Sequence, residues 1–281
     1  MKSLLLSLFF MTALTSGKML YAESIAYGYN PAAGDYLELE NNTRLYYEIY
    51  GEGEPLLLLH GGVFGYIDEF EHLIPKLAKK YRVICLATRG HVKSNVGKLP
   101  YTYEQYAMDA YKLITYLKLE RVTVVGFSDG GYTAYKLAAI YPEKITKIVA
   151  MGAGDLPVKQ TPGNSNLSVE GLLAEYEEFF KKRLASMPQP KRWSESLAMM
   201  NTMYNTSFLS NETFHKIAQP VLVISGDRDE YFSLESMLSV HKNLVDSRLA
   251  VIPECGHVIL YCNFPAVWAS LGPFLGFTTE S

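Results

Sequence analysis

Arg121-Val-Thr-Val-Val-Gly-Phe-Ser-Asp-Gly-Gly131 is the stretch that decides how this chain folds. Its first part, Val122 to Val125, is a β-branched apolar run, the pattern of a buried strand. The run stops at Gly126-Phe127-Ser128-Asp129-Gly130, and Ala134, Leu137, Ala138 and Tyr141 then recur at helical spacing. A strand that turns sharply into a helix at Gly-x-Ser-x-Gly is the setting of a nucleophile elbow, which holds a serine hydroxyl clear of its neighbours at the positive end of a helix. The glycines have a steric job: backbone crowds both sides of such a turn, so the residues two before and two after the serine cannot carry side chains. A plain Gly/Ser turn between a core strand and a core helix would use the same letters. The flanking strand and helix favour the elbow.

A serine hydroxyl needs a base, and the base needs an orienter. Of the six histidines, His257 follows a short apolar strand (Leu249 to Ile252) and a turn ending Cys255-Gly256, a strand-end loop of the kind that presents catalytic side chains. Upstream, Pro220-Val-Leu-Val-Ile-Ser-Gly reads as another buried strand, and Asp227-Arg228-Asp229-Glu230 follows it. The chain order is therefore serine, acid, histidine. Each loop alone would pass for a solvated strand end; their order and shared context point to an assembled site.

With these residues in view, the chain from about Tyr36 to about Leu275 resembles the α/β-hydrolase-fold serine hydrolases. The resemblance implies a mostly parallel eight-stranded sheet flanked by helices, with a helical cap insertion. It also implies a triad of Ser128, Asp229 and His257. Asp229 is the fourth position of Gly226-Asp227-Arg228-Asp229; Asp227 is the substitute, and Asp155, in Gly152-Ala-Gly-Asp155, would serve if the acid followed the sixth strand. His60-Gly61-Gly62 closes the apolar run Pro55-Leu-Leu-Leu-Leu. In the family, the residue after His-Gly and the residue after the nucleophile lend backbone N–H groups to the oxyanion hole, which here gives Gly62 and Asp129. His60 reads as a structural histidine that hydrogen-bonds this loop. Two family marks are degraded. Ala87-Thr88-Arg89-Gly90-His91-Val92-Lys93-Ser94 has Ala87 and Val92 where the family has Asp and Gly, and Asn263 precedes Phe264 and Pro265 where an acidic residue is usual.

Asp129 adds a substrate hint. A carboxylate directly after the nucleophile would repel a forming oxyanion by a few kcal/mol at an effective dielectric near 20. It makes sense beside a substrate cation. Phe-Ser-Asp-Gly-Gly is similar to the stretch in valacyclovir hydrolase-like esterases, which act on esters of α-amino acids. The other reading is that Asp129 caps the following helix.

The remainder of the chain bounds these readings. It has 281 residues, 48% hydrophobic and 20% charged, with a formal net charge of −3, so a full core is expected and no basic run suggests nucleic acid or an anionic membrane. Met1-Lys2-Ser3, the apolar run Leu4 to Leu14 and Tyr21-Ala22 read as a secretory signal peptide, with an uncleaved anchor as the alternative. This predicts a secreted or periplasmic protein with no stable membrane association after cleavage. Cys85 reads as a core residue; pairing of Cys255 with Cys262 is left open.

After a two-strand start over Tyr36 to Glu40 and Arg44 to Tyr50, strands and helices alternate: a helix around Glu69 to Lys79, a capping box Thr102-x-x-Gln105 and helices after it. From Asp155 to Gln219 no strand signal appears, and helices are expected over 170–184, 193–204 and 211–217. The expected organisation is a signal peptide at 1–22, a core of 23–154 and 219–281, and a helical cap at 155–218. Within the cap, Trp193, Met199, Met200, Met203, Tyr204 and Phe208 are expected to face the serine, with Trp193 and Met203 named as substrate-binding; simple packing of cap on core is the other reading.

The function expected is hydrolysis of a small carboxylic ester through an acyl-enzyme, without metal or organic cofactor. Carbon–carbon bond hydrolysis, amide or peptide hydrolysis, acyl transfer, or an inactive scaffold that binds a ligand are the alternatives. Oligomeric state is left open.

Overall fold

The computed structural model describes residues 25–156 and 165–278; the expected signal peptide lies outside them. Eight strands form one sheet: β1 (Gly34–Leu39), β2 (Thr43–Tyr50), β3 (Glu54–Leu59), β4 (Tyr81–Leu86), β5 (Val122–Phe127), β6 (Ile145–Met151), β7 (Val221–Gly226) and β8 (Ser247–Ile252). Their order is β1-β2-β4-β3-β5-β6-β7-β8. The pairs β1/β2 and β2/β4 are antiparallel, and every pair from β4 to β8 is parallel. Parallel strands are covered on both faces and so read as unbroken apolar runs. Leu56 to Leu59 show why: Leu57 and Leu59 enter the core on one face, Leu56 and Leu58 the core on the other.

Helices are α1 (Ile74–Leu77), α2 (Tyr103–Tyr116), α3 (Asp129–Ile140), α4 (Val169–Ala185), α5 (Trp193–Thr206), α6 (Asn211–His215), α7 (Leu234–Asn243), α8 (Ile259–Cys262) and α9 (Phe264–Phe274). The segment between β6 and β7 carries α4, α5 and α6, and α4 is interrupted at Tyr176 (φ −133°, ψ 45°). Among the described residues no helix is long and apolar enough to cross a membrane.

Two local expectations are corrected. The helix expected over Glu69 to Lys79 is a 3-10 turn at Ile67–Phe70 followed by the four residues of α1. Only half of the capping box forms. The Thr102 hydroxyl accepts the Gln105 N–H at 3.0 Å, but the Gln105 side chain donates to Asp109 at 3.0 Å. Asp109 is engaged by a buried ion pair with Arg89, whose Nη2 lies 2.7 Å from Oδ1, and that competing acceptor draws the amide away from the helix start.

The Ala87–Ser94 segment still braces its surroundings despite its two departures. Ser94 Oγ donates to Ala87 O at 2.7 Å and accepts the Tyr46 N–H at 2.8 Å. Val92 holds φ 42°, left-handed backbone that a β-branched residue adopts only under strain.

Candidate active site

Ser128 lies between the end of β5 and the first residue of α3, at φ 52° and ψ −116°, a strained conformation for any residue with a side chain. The flanking glycines have the role the sequence implied. A Cβ on Gly126 would collide with Gly130 O, and one on Gly130 with Leu59 O. From this position Ser128 Oγ lies 3.0 Å from His257 Nε2, and His257 Nδ1 lies 2.9 Å from Asp229 Oδ2. The other Asp229 oxygen accepts the Tyr231 and Phe232 N–H groups at 2.9 and 3.0 Å. Burial alone would raise Asp229. Its bond to His257, the imidazole's charge and the two N–H donors outweigh burial and hold the carboxyl below its ordinary value. A carboxylate on Nδ1 fixes the imidazole tautomer with Nε2 free to take the serine proton.

Neighbouring acids hold the histidine loop rather than the ring. Asp227 accepts the Cys255 N–H at 3.2 Å, and Glu230 accepts the His257 N–H at 3.1 Å. Asp155 accepts the Ser236 hydroxyl at 2.8 Å. Of the three candidate acids, the structure brings only Asp229 to the imidazole. Cys255 and Cys262 form a disulfide that spans His257, with Cα atoms 5.8 Å apart. The ring is boxed by Phe127, Tyr231 and Phe232, with centroids 5.0, 4.9 and 5.7 Å away.

His60-Gly61-Gly62 runs beside the elbow. Burial, and then the neighbouring His91, keeps His60 well below its ordinary value and therefore neutral. Its Nε2 accepts the Thr88 N–H at 3.0 Å, so the proton is on Nδ1, which donates to Gly61 O at 2.7 Å. Burial likewise holds His91 down at about 4. Its Nδ1 lies 2.9 Å from both Arg89 O and the Thr88 hydroxyl, and its Nε2 lies 3.2 Å from Gly62 O. His60 thus anchors the loop, as expected of a structural histidine. A Cβ on Gly62 would meet the Tyr204 hydroxyl and the Asp129 carboxylate, so only glycine fits beneath them.

Asp129 is buried, and its carboxylate turns into the site. Tyr103 of α2 donates to Oδ1 at 3.0 Å, and Tyr204 of α5 to Oδ2 at 2.8 Å. Burial pushes the carboxyl up to about 6, against the pull of the two hydroxyls and His257. The helix-cap alternative is not what the side chain does. Sequence reasoning placed Tyr204 only in a general apolar set and missed Tyr103. A polar tip on an otherwise apolar helix face was the available signal.

The expected serine-facing set from α5 is only partly realised. Trp193 packs on Phe180 at 5.2 Å and lines a small crevice with Val63, His91, Val92 and Met200. Met203 is buried in the core shared with α2 and α3, and Phe208 is half exposed over Lys136. Tyr204, the residue next to Met203, is the one that reaches Asp129. Met203 instead fills the seam between insertion and core.

A family model described as the alpha/beta hydrolase fold matches residues 54–190. The human Serine hydrolase BPHL is 26% identical over 231 residues, 77% of this chain and 78% of its own. The 2-hydroxy-6-oxo-6-(2'-aminophenyl)hexa-2,4-dienoic acid hydrolase of Metapseudomonas resinovorans is 26% identical over 228 residues, 74% of this chain and 79% of its own. Among solved structures, a serine hydrolase involved in carbazole degradation superposes with a TM-score of 0.72 at 21% identity, over 86% of this chain and 98% of that one. The chain has the α/β-hydrolase fold, and it is a hydrolase.

Proposed function

We propose that the protein is a serine esterase acting on a small carboxylic ester. The observation that carries this is the unbroken hydrogen-bonded line Ser128 Oγ, His257 Nε2, His257 Nδ1, Asp229 Oδ2 at the head of a strained elbow. Ser128 Oγ attacks the ester carbonyl while His257 Nε2 takes its proton. The carbonyl oxygen becomes an oxyanion, held by the Gly62 and Asp129 N–H groups, a contribution worth several kcal/mol. Collapse of the tetrahedral intermediate breaks the carbon–oxygen bond, and the imidazolium gives its proton to the leaving alcohol. Water, deprotonated by the same imidazole, then attacks the acyl-enzyme and releases the acid. Asp229 keeps the ring in register throughout. The α4–α6 insertion is proposed as a cap over the substrate.

Within this reading the substrate is an aminoacyl ester, with Asp129 as counter-ion to its ammonium. Tyr103 and Tyr204 each occupy one lone pair of the carboxylate, and the remaining lone pairs are free to accept from an ammonium group. The carboxylate lies against Gly62, beside the proposed oxyanion hole. Carbon–carbon bond hydrolysis is the second reading, favoured by the similarity to the dienoic acid hydrolase of Metapseudomonas resinovorans.

A fluorophosphonate probe should label wild type at Ser128 and leave Ser128→Ala unlabelled. Next comes kcat/KM for an aminoacyl ester, its des-amino analogue and a vinylogous diketone, in wild type and Asp129→Ala. Preference for the ammonium-bearing ester, lost in Asp129→Ala, is expected. Faster turnover of the diketone would transfer the assignment to the carbon–carbon reaction.

We also propose that the protein is exported and loses residues 1–22. The Cys255–Cys262 disulfide supports an oxidising compartment. Mass spectrometry of the protein from its host is expected to find a chain starting near Glu23; a full-length cytoplasmic form would contradict it.

A further inference from the structure

Glu69 is a partly buried carboxyl beside this site that none of the steps above uses. It lies in the 3-10 turn Ile67–Phe70 under the His60–Gly62 loop, and its Oε2 accepts the Gly61 N–H at 2.8 Å. Two more bonds hold the same loop. Gly61 O accepts from His60 at 2.7 Å, and Gly62 O accepts from Gly65 N at 2.6 Å, with the His91 ring 3.2 Å from it. Both polar groups of Gly61 and the carbonyl of Gly62 are therefore fixed. The Gly62 N–H shares a rigid peptide plane with the carbonyl that His60 grips. Its direction is set by partners on either side, and Glu69 is the partner on the upstream side.

We infer that Glu69 is a positioning residue for the oxyanion hole, aiming the Gly62 N–H through its bond to Gly61, and that it does this work in the uncharged form. The inference rests on the serine-hydrolase reading above. The charge argument is simple. An ionised Glu69 would put a negative charge one residue from the group that must hold a developing oxyanion, in a partly dry setting where screening is weak. A neutral carboxyl still accepts the Gly61 N–H through its carbonyl oxygen and imposes no such penalty.

The surroundings favour the neutral form. On its own turn Glu69 has Asp68 as neighbour; Asp129 faces it from α3, Arg183 from α4, and the Tyr261 hydroxyl approaches the turn from α8, bonded to Asp68 O at 3.2 Å. Arg183 is the cation in this set, and it is committed to Asp68, with both guanidinium nitrogens on both carboxylate oxygens at 2.8 and 2.9 Å. A Cβ on Gly61 would lie 3.2 Å from Glu69 Oε1, so the carboxyl sits close against the backbone of the His60–Gly62 loop. Burial is the largest effect and pushes Glu69 up to about 8; the Gly61 N–H opposes it, Asp68 and Asp129 add to it, and Arg183 opposes it. A group raised in this way is neutral below about pH 8 and charges as pH rises through that value.

The test is the rate of fluorophosphonate labelling of Ser128 between pH 6 and 10, because phosphonylation uses the same oxyanion hole whatever the natural substrate. Wild type should label more slowly as pH rises through about 8. Glu69→Ala should label about tenfold more slowly at pH 7, with the concentration for half-maximal rate little changed, a smaller loss than deleting an oxyanion donor outright. Glu69→Gln keeps an acceptor for the Gly61 N–H and cannot ionise. It should recover most of the rate that Glu69→Ala loses, and the alkaline decline should vanish from its profile. The same decline in Glu69→Gln as in wild type would overturn the inference, as would a Glu69→Ala rate within threefold of wild type. Should circular dichroism show Glu69→Ala unfolded, the Glu69→Gln profile decides alone. A wild type that never labels overturns the serine-hydrolase reading, and this inference with it.

Discussion

At the scale of single residues, three acids within four positions of the chain have been given different work. Asp227 and Glu230 accept backbone N–H groups of the Cys255–His257 loop, and Asp229 alone touches the imidazole. The sharp comparison is therefore Asp229→Asn against Asp227→Asn. An amide at 229 cannot oppose a charge on the ring and favours the wrong tautomer, so hydrolase kcat should fall by about four orders of magnitude. Asp227→Asn keeps an acceptor for the Cys255 N–H and should stay within about tenfold of wild type. Equal losses in the two variants would return the acid assignment to the open choice that the sequence left.

Asp129 gives a stability prediction of opposite sign to the usual carboxylate case. Its folded value is raised to about 6 from an ordinary 3.8. The neutral form is thus favoured by folding, and the stabilisation is complete below about pH 4 and lost as pH rises through about 6. Above that the buried charge costs on the order of 3 kcal/mol. Asp129→Asn, which keeps a partner for both tyrosines, should melt a few degrees higher than wild type at pH 8 and match it near pH 4. A gain of the same size at both pH values would mean that packing, not ionisation, is responsible.

At the scale of elements, the Cys255–Cys262 disulfide closes a short loop around His257 and then enters α8. Constraining a loop of that length in the unfolded chain stabilises the fold by about 2.5 kcal/mol. Because the loop carries the proposed base, His257, reduction should lower kcat as well as melting temperature, whereas Cys85, buried in the sheet, should not respond. Full activity after reduction of the disulfide, confirmed by thiol titration, would show that the Asp227 and Glu230 clamps suffice.

This loop also marks what could be read from the chain. Strand β5, the elbow and α3 follow from local pattern, since β-branched residues, two glycines and a helical repeat each act within a few positions. The order of serine, acid and histidine follows from strand ends that are visible one at a time. Tyr103 and Glu69 were not legible, and Tyr204 was legible only as one of an apolar set facing the serine, because what gives them their contacts is the meeting of α2, α5 and the Ile67–Phe70 turn near Gly62. The helix expected over Glu69 to Lys79 failed for a related reason. Ile67, Phe70, Leu73, Ile74 and Leu77 are drawn into one core by a tight turn rather than by a continuous helix, and burial decides where local propensity is weak. Pairing of the two cysteines needed Cβ geometry that no spacing supplies.

At the scale of the molecule, a charged contact between the helical insertion and the core lies beside the site. Arg183 of α4 grips Asp68 with two hydrogen bonds, lies 3.3 Å from the Tyr29 hydroxyl and packs its guanidinium over Tyr66 and Phe179. Its side chain is 11% exposed and that of Asp68 28%, so the pair is drier than a surface ion pair and should be worth about 1–2 kcal/mol. Asp68 precedes Glu69, and the same turn lies under the His60–Gly62 loop. The insertion's hold on the core is thus one residue away from the support of Gly61. Arg183→Met keeps the aliphatic packing over the two rings and removes the hydrogen bonds. It should loosen α4 without unfolding the sheet, raising KM for an ester about tenfold while kcat changes less, because the chemical groups at the head of β5 stay in place. Hydrogen exchange in Val169–Ala185 should quicken in the same variant, while exchange in β5 and β6 stays slow. Unchanged KM together with unchanged exchange in α4 would show that apolar packing of Phe180, Trp193 and Met200 holds the insertion by itself.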